Sequence, residues 1–462
     1  MFRKFVNRED ELRFLKGEYQ KEEFSFVVVY GRRRVGKTEL TMMSSKDLPV
    51  IYFLADKRGT KSNFFRLRKK VADFFDDYEP AVETFDELFR YMAEKWKGKK
   101  KLIVIIDEFS YLVEKDPSIP SVFQLIVDET LSKASFHLIL CGSSVSMMEK
   151  GVLSYKSPLY GRRTGQINLR PLAFRELKKF FPGLDIEDRL KIYGAFGGIP
   201  FYLSFIDKEK SFVENLEGTV FNDKNILYAE GEFLLKEELK DPSTYMGILT
   251  AIAQGATKAG EIANKSFLEV KDLPYFLQIL KNLGLIEKEI PVTEKRSSKK
   301  SIYKISDPFL RFWFTFVFPN RGMIETREGM ATHIISNYDE YMGHAFEEVA
   351  EELLKDLNGR GKLPFEFEIV GRQWGKIPYK PRGENEYEID LVALNKKEKK
   401  ILFCECKWQE DVDSVAVLKG LKEKSKAVKW PNGGRRDYFC VIAKSFKTWA
   451  EGALLLSLGD FE

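Results

Sequence analysis

The sequence predicts an α/β chain of several domains, with a parallel sheet that carries a phosphate-binding loop near its start. Three observations predict it. An apolar run, "FSFVVVY" from Phe24 to Tyr30, breaks into Gly31-x4-Gly36-Lys37-Thr38, a buried strand that passes through glycines into a helix. A second apolar run, "KLIVIID", ends on Asp107 and is followed by Glu108. At 462 residues the chain exceeds one ordinary domain, and two to four are expected.

Composition narrows the class. A hydrophobic content of 44% supports packed cores. Lys and Arg total 75 against 70 Asp and Glu, so any affinity for nucleic acid must come from local patches. Four cysteines, Cys141, Cys404, Cys406 and Cys440, have irregular spacing that argues against a disulfide framework and for the reducing cytoplasm. The first residues, "MFRKFVNRED", lack the apolar core of a signal peptide. The greasiest stretch, "FLRFWFTFVF" from Phe309, contains Arg311 and is too short to span a bilayer. A buried helix is expected there, and no membrane partner.

In the loop after the first strand, backbone N–H groups of Gly31, Arg32, Arg33, Arg34, Val35 and Gly36 are placed to wrap phosphates. Lys37 reaches the β and γ oxygens, the Thr38 hydroxyl holds Mg2+, and Glu39 follows in the same helical turn. Asp107 would bind Mg2+ through water, while Glu108 orients or deprotonates the attacking water. The strand "FHLILCGSS" ends at Ser143 and Ser144, where a hydroxyl either senses the γ-phosphate or simply ends the strand. In "LYGRRTGQINLRPL", Arg162 and Arg163 occupy a turn. They are either poised to steady transition-state charge or part of a solvated basic turn.

"FVNREDEL", "YGRRRVGKTEL", "IIDEFSYL", "CGSS", "LYGRRTG", "LRPLAFREL" and "GGIPFYL" follow one another in order. Over residues 1–235 this series resembles the archaeal ATPase family, among the additional-strand P-loop NTPases near the STAND and AAA+ groups. The resemblance implies ATP and Mg2+ as ligands and a phosphate-loop strand lying centrally in the sheet. It also implies Asn7 and Arg8 near the adenine, and a helical lid containing Gly197 to Leu203.

Residues 236–306 read as three helices and a hairpin. Thr257 is expected to start the second helix and Asp272 to cap the third, with Pro274 in its first turn. Leu273, Phe276, Leu277, Leu280 and Leu283 form its apolar stripe. Tyr275, Gln278, Lys281 and Asn282 face outward, a thin set for reading bases. The hairpin tip, Lys295 to Lys300, is basic. This module resembles a winged helix-turn-helix, which leaves DNA binding or a protein-interaction role open. A helical connector, 307–336, follows.

The last segment, 337–462, opens with a helix that sets Tyr341, Ala345, Val349 and Leu353 on one face and carries Glu347 and Glu348. Two strands follow around the turn Asn395 to Lys400. Alternation places Cys404 and Cys406 on one face, and Phe403, Glu405 and Lys407 on the other. A zinc site lacks ligands, since only Cys440 follows and no His comes after His344. Asp390 and Glu405 could instead share Mg2+ while Lys407 positions water. An ordinary hairpin with surface charges fits the spacing equally. Helix, Asp, Glu-x-Lys and the helix "SVAVLKGLKEKSKAV" together resemble the PD-(D/E)xK restriction-endonuclease-like α/β fold. Glu347, Asp390, Glu405 and Lys407 match its motif, with Ile389 where the naming Pro stands. Joined to this ATPase, the block resembles the family's own C-terminal domain of unassigned function. The combined expectation is a Mg2+-dependent ATPase that acts on or signals to DNA through a nuclease-like domain. A nucleotide-controlled switch or an oligomeric assembly scaffold is the alternative.

Overall fold

The computed structural model describes residues 5–239, 241–295, 297–298, 300–326, 331–377, 380–381, 384–430 and 433–462. It divides into two compact units, Met1–Pro171 with Ile199–Ser204, and Leu172–Gly198 with Phe205–Glu462.

The first unit is built on five strands: β1 Ser25–Tyr30, β2 Val50–Leu54, β3 Leu102–Asp107, β4 Phe136–Gly142 and β5 Gly165–Asn168. They pair in parallel in the order β2-β3-β4-β1-β5. Every residue of β1, β3 and β4 is buried, as continuous apolar strands require when both sheet faces are covered. Alternate residues feed two cores. Phe26, Val28, Val104 and Ile106 pack with Phe89, Phe109 and Phe123. Val27, Val29, Ile103 and Ile105 pack with Leu15 and Leu40, from the helices Glu9–Gln20 and Lys37–Ser44. Strand β1 has neighbours on both sides but sits one place from the edge, because only the four-residue β5 lies beyond it. The central placement implied by the resemblance holds only in that sense. The inserted β4 keeps β3 from touching β1.

Gly31 ends β1 where the chain passes Leu169. A Cβ at this position would lie 2.3 Å from the Leu169 carbonyl oxygen and 3.2 Å from its carbon. Backbone cannot yield as a side chain can, so Gly31→Ala is expected to lower the melting temperature by several degrees, from about 2 kcal/mol of overpacking. A calorimetric scan checks it.

In the second unit, three helices, Ser243–Ala253, Ala259–Lys265 and Leu273–Asn282, precede an antiparallel pair, β6 Ile286–Glu289 and β7 Ile302–Ile305. The second helix starts at Ala259, two residues later than Thr257; Glu261 accepts instead from the Thr257 and Lys258 N–H groups at 3.2 Å each. Asp272 occupies the capping position without a side-chain cap bond, and Pro274 takes the first turn. Leu273, Leu277 and Leu280 are buried, Phe276 and Leu283 half-buried, and Tyr275, Gln278, Lys281 and Asn282 exposed. At the hairpin tip, Arg296 and Lys299 lie outside the described residues, and Lys300 pairs with Glu294 at 2.6 Å.

The aromatic stretch is helical and interior: Phe309, Leu310, Phe312, Trp313, Phe314 and Val317 are fully buried. Among the described residues no helix is long and apolar enough to cross a membrane. The helix Tyr338–Gly359 buries Ala345, Val349 and Leu353, together with Met342, Phe346, Ala350 and Leu354, while Tyr341 is half-buried. A mixed sheet follows: β8 Ile369–Lys376, β9 Glu386–Asn395, β10 Lys400–Lys407, β11 Arg436–Ala443 and β12 Leu454–Leu456, in the order β12-β11-β10-β9-β8. Strands β8, β9 and β10 pair antiparallel, and β10, β11 and β12 parallel. The parallel step from β10 to β11 needs a crossover, supplied by the helix Ser414–Lys426, whose N-cap Asp413 accepts from the Ala416 N–H at 3.1 Å.

Candidate nucleotide site and a second carboxylate site

At the end of β1 the chain turns through Arg34 (φ 67°) and Gly36 (φ 97°) into the helix Lys37–Ser44, so the first N–H groups of that helix point into the loop. The Lys37 ammonium is 5% exposed and donates to the carbonyls of Gly31 (3.0 Å) and Arg32 (2.9 Å). Burial lowers its pKa, with Glu108 and Asp107 opposing that shift. Thr38 Oγ1 donates to Asp107 Oδ2 at 2.6 Å, and the Glu108 N–H donates to Asp107 Oδ1 at 2.9 Å. Glu108 adopts a left-handed backbone (φ 53°). Its carboxylate accepts from Ser143 Oγ at 2.5 Å and from the Ser143 N–H at 3.2 Å. Thr38, Asp107, Glu108 and Ser143 thus form one hydrogen-bonded chain, with the Lys37 charge drawn by Glu108 and Asp107. Val35 is buried, Arg33 donates to the Tyr111 hydroxyl at 2.7 Å, and the Arg34 guanidinium lies 4.3 Å over the Phe201 ring. Glu39 is exposed. Arg8, with Asn7 before it at φ 61°, donates to the Arg170 carbonyl at 2.6 Å and the Val35 carbonyl at 3.5 Å. Arg162 is clamped by both Asp128 oxygens at 2.7 and 2.9 Å, and Arg163 donates to the Leu153 carbonyl at 3.2 Å.

The second group lies on β9 and β10. Their register pairs Cys404 with Leu391, and one further step sets Glu405 opposite Asp390 on the same face. Asp390 Oδ2 accepts from the Cys406 N–H at 2.7 Å. Glu405 is buried and accepts from Lys407 at 2.9 Å and from Lys424 at 2.9 and 3.1 Å. Glu347 lies 3.5 Å from Arg372 and 3.6 Å from His344. Glu348 is engaged elsewhere, by both ends of the Arg311 guanidinium at 2.6 and 2.9 Å. Among the described residues no three His, Cys, Asp or Glu side chains converge as a metal cage. Lys407 and Lys424 thus hold Glu405, Arg372 lies beside Glu347, and both carboxylates act on Asp390. Cys404, Cys406 and Cys440 are buried free thiols.

A family model described as an ATPase domain predominantly from Archaea matches residues 5–206. A second, described as archaeal and bacterial proteins of unknown function, matches residues 313–425. The protein MJECL04 of Methanocaldococcus jannaschii is 40% identical over 460 residues, 99% of this chain and 100% of that protein. The chain belongs to the archaeal ATPase family. A shorter relative, the ATP-binding protein MJ0423 of the same organism, is 50% identical over 61 residues, 13% of this chain and 88% of its own. Among solved structures, the Walker-type ATPase paby2304 of Pyrococcus abyssi is similar in fold at 20% identity and a TM-score of 0.52, over 67% of this chain and 96% of that one.

Two residues at these sites carry no signal in the sequence. Tyr52 donates to Asp107 Oδ2 at 2.9 Å, and Lys424 reaches Glu405 from the crossover helix. Neither has a local motif; only strand order and the crossover bring them in. At the second site, burial pushes the Asp390 carboxyl up from 3.8 to about 7, reinforced by Glu405 and Glu347. A raised folded-state pKa means that the native chain holds this proton more tightly than the unfolded one. Its stabilising contribution is complete below pH 3.8 and is lost as pH rises to about 7. In chelator, Asp390→Asn is expected to melt like wild type at the acid end of that window and above it at the alkaline end, read by thermal melts across pH.

Proposed function

We propose that this member of the archaeal ATPase family hydrolyses ATP with Mg2+, and that its nucleotide state controls how residues 337–462 engage DNA. The observation that carries the first half is the hydrogen-bonded chain Thr38, Asp107, Glu108 and Ser143 beside the buried Lys37 of the loop. Thr38 Oγ1 and Asp107 Oδ2 stand 2.6 Å apart beside the loop, a hydroxyl and a carboxylate oxygen of the kind that suit a hard cation. Mg2+ bound there with nucleotide would neutralise charge on the β- and γ-phosphate oxygens. The loop N–H groups and Lys37 hold the phosphates, Asp107 orients Thr38, and Glu108 takes the proton of the attacking water. Ser143 holds Glu108 until the γ-phosphate offers its hydroxyl another acceptor. That the relative MJ0423 is an ATP-binding protein supports the choice of nucleotide.

For the second half, the support is the layout of the chain: residues 1–235 for ATP, 236–306 as a winged-helix-like module, 307–336 as connector and 337–462 as a nuclease-like domain. Within the second unit, a cleft of about 1380 Å³ is lined by seven Lys and Arg side chains, Lys258 and Lys376 among them, and by seven Glu side chains, Glu347 and Glu388 among them; phosphates would be drawn to its cationic part. A second reading, in which DNA is held but not cut, is favoured by the two lysines on Glu405. The test is a cleavage assay on single-stranded, duplex and branched DNA in Mg2+ or Mn2+, with ATP, ADP or neither. Asp390→Ala and Lys407→Ala run beside wild type. Cutting that requires Asp390 and responds to nucleotide supports the nuclease reading. Binding without cutting supports the switch. Indifference to DNA at both low and high salt sinks the second half of the proposal.

A further inference from the structure

Asp107 receives a third hydrogen bond that hydrolysis chemistry does not itself demand. Tyr52 lies on β2, which pairs with β3 so that Tyr52 stands beside Ile105 and Leu54 beside Asp107. The Tyr52 hydroxyl donates to Asp107 Oδ2 at 2.9 Å, the oxygen that also accepts from Thr38 Oγ1 at 2.6 Å. The other oxygen accepts from the Glu108 N–H at 2.9 Å. An ionised carboxylate offers roughly four acceptor positions, so these three donors leave one, on Oδ1. Asp107 is 2% exposed, and its rotation about the Cβ–Cγ bond is opposed from both sides. A phenol, with an ordinary pKa of about 10, keeps its proton at neutral pH, so Tyr52 is a donor there. Phenylalanine would fill the same space: Tyr52 packs against the apolar cluster that holds Val27, Ile103 and Ile105, and its hydroxyl adds the bond to Asp107, beside the Thr38 hydroxyl.

We propose that Tyr52 is a positioning residue for Asp107, which fixes the carboxylate so that its remaining acceptor site serves a divalent cation held with the nucleotide. This rests on the ATP-binding reading of the loop. Tyr52 acts through Asp107. Its hydroxyl is therefore unimportant for metal-free nucleotide binding and important for what the cation adds.

The test titrates a fluorescent ADP analogue into wild type, Tyr52→Phe and Lys37→Ala, first in EDTA and then across a Mg2+ series. In EDTA, Tyr52→Phe is expected to bind as wild type does. It should need about tenfold more Mg2+ for the half-maximal gain in affinity, the size of one hydrogen bond to a charged group. In steady-state ATP turnover its kcat should fall about tenfold with KM little changed. In the Asp107→Asn background, Tyr52→Phe should add nothing further. A Mg2+ midpoint equal to that of a responsive wild type overturns the proposal. So does an equal loss of affinity in EDTA, which marks a merely structural role. If wild type binds no nucleotide, or binds it as well after Lys37→Ala, the loop reading itself has failed, and the two failures are told apart.

Discussion

Lys37→Ala is expected to weaken ATP binding at least ~100-fold and to abolish turnover, with little change in melting temperature. The argument starts from the burial of the ammonium. A charge that is 5% exposed is costly unless it is hydrogen-bonded and compensated. Its direct partners are two neutral carbonyls, Gly31 and Arg32, and burial depresses its pKa against the pull of Glu108 and Asp107. Phosphate oxygens supply the opposite charge at short range, so much of the attraction of Lys37 is realised only when nucleotide arrives. Two charge-assisted bonds at about 1.5 kcal/mol each give the factor quoted. Lys37→Met, which keeps the aliphatic stem, should lose the same affinity and so exclude a packing effect. Glu108→Gln gives the complementary result: binding retained, turnover down by ~10²-fold or more, the usual worth of a positioned base. The left-handed backbone at Glu108 is the strained conformation that clusters at such sites, and it aims the carboxylate at Ser143. Fluorescent-nucleotide titration and phosphate release measure both variants.

The contrast between Lys37 and Tyr52 shows what the sequence made legible. Gly31 to Thr38 is a contiguous pattern, and Asp107 with Glu108 follows an apolar run that only a buried strand explains. Tyr52 meets Asp107 because β2 pairs with β3, a pairing that no local pattern specifies. The second site divides in the same way. Alternation on β10 separates Glu405 from Cys404, and a register fixed by the hairpin brings Asp390 opposite. The arrival of Lys424 depends on the turns of the crossover helix Ser414–Lys426. That of Arg372 beside Glu347 depends on β8 joining the sheet edge. Asp272 shows the limit of residue preference: it stands where a cap belongs, yet no N–H is bonded to its side chain, and the third helix is held by Leu273, Leu277 and Leu280 in the core.

Arg311→Ala is expected to destabilise the second unit by about 3–5 kcal/mol, the cost of leaving a buried charge without its partner. Arg311, whose side chain is 12% exposed, follows Asp307, whose side chain caps the helix Pro308–Phe312 through the Leu310 N–H at 2.7 Å. Its guanidinium grips Glu348 with two bonds of 2.6 and 2.9 Å. Lys304, 3.5 Å away, cannot replace that planar fork, since an ammonium is a point charge. Arg311→Lys is therefore expected to fail nearly as badly as Arg311→Ala. Burial pushes the Glu348 carboxyl up, but Arg311 and Lys304 outweigh it and hold the carboxyl below its ordinary value. A depressed carboxylate contributes stability above its unfolded pKa and loses it as pH falls through the folded one, the reverse of Asp390. Wild type should thus lose stability on acidification more steeply than the variant. Pairing Arg311→Met with Glu348→Gln removes both charges and should recover part of the loss, with a coupling of at least about 1 kcal/mol. Urea melts of wild type, Arg311→Met, Glu348→Gln and the double variant at neutral and acid pH decide it: equal acid sensitivity in all four would mean that the pair contributes packing and not charge.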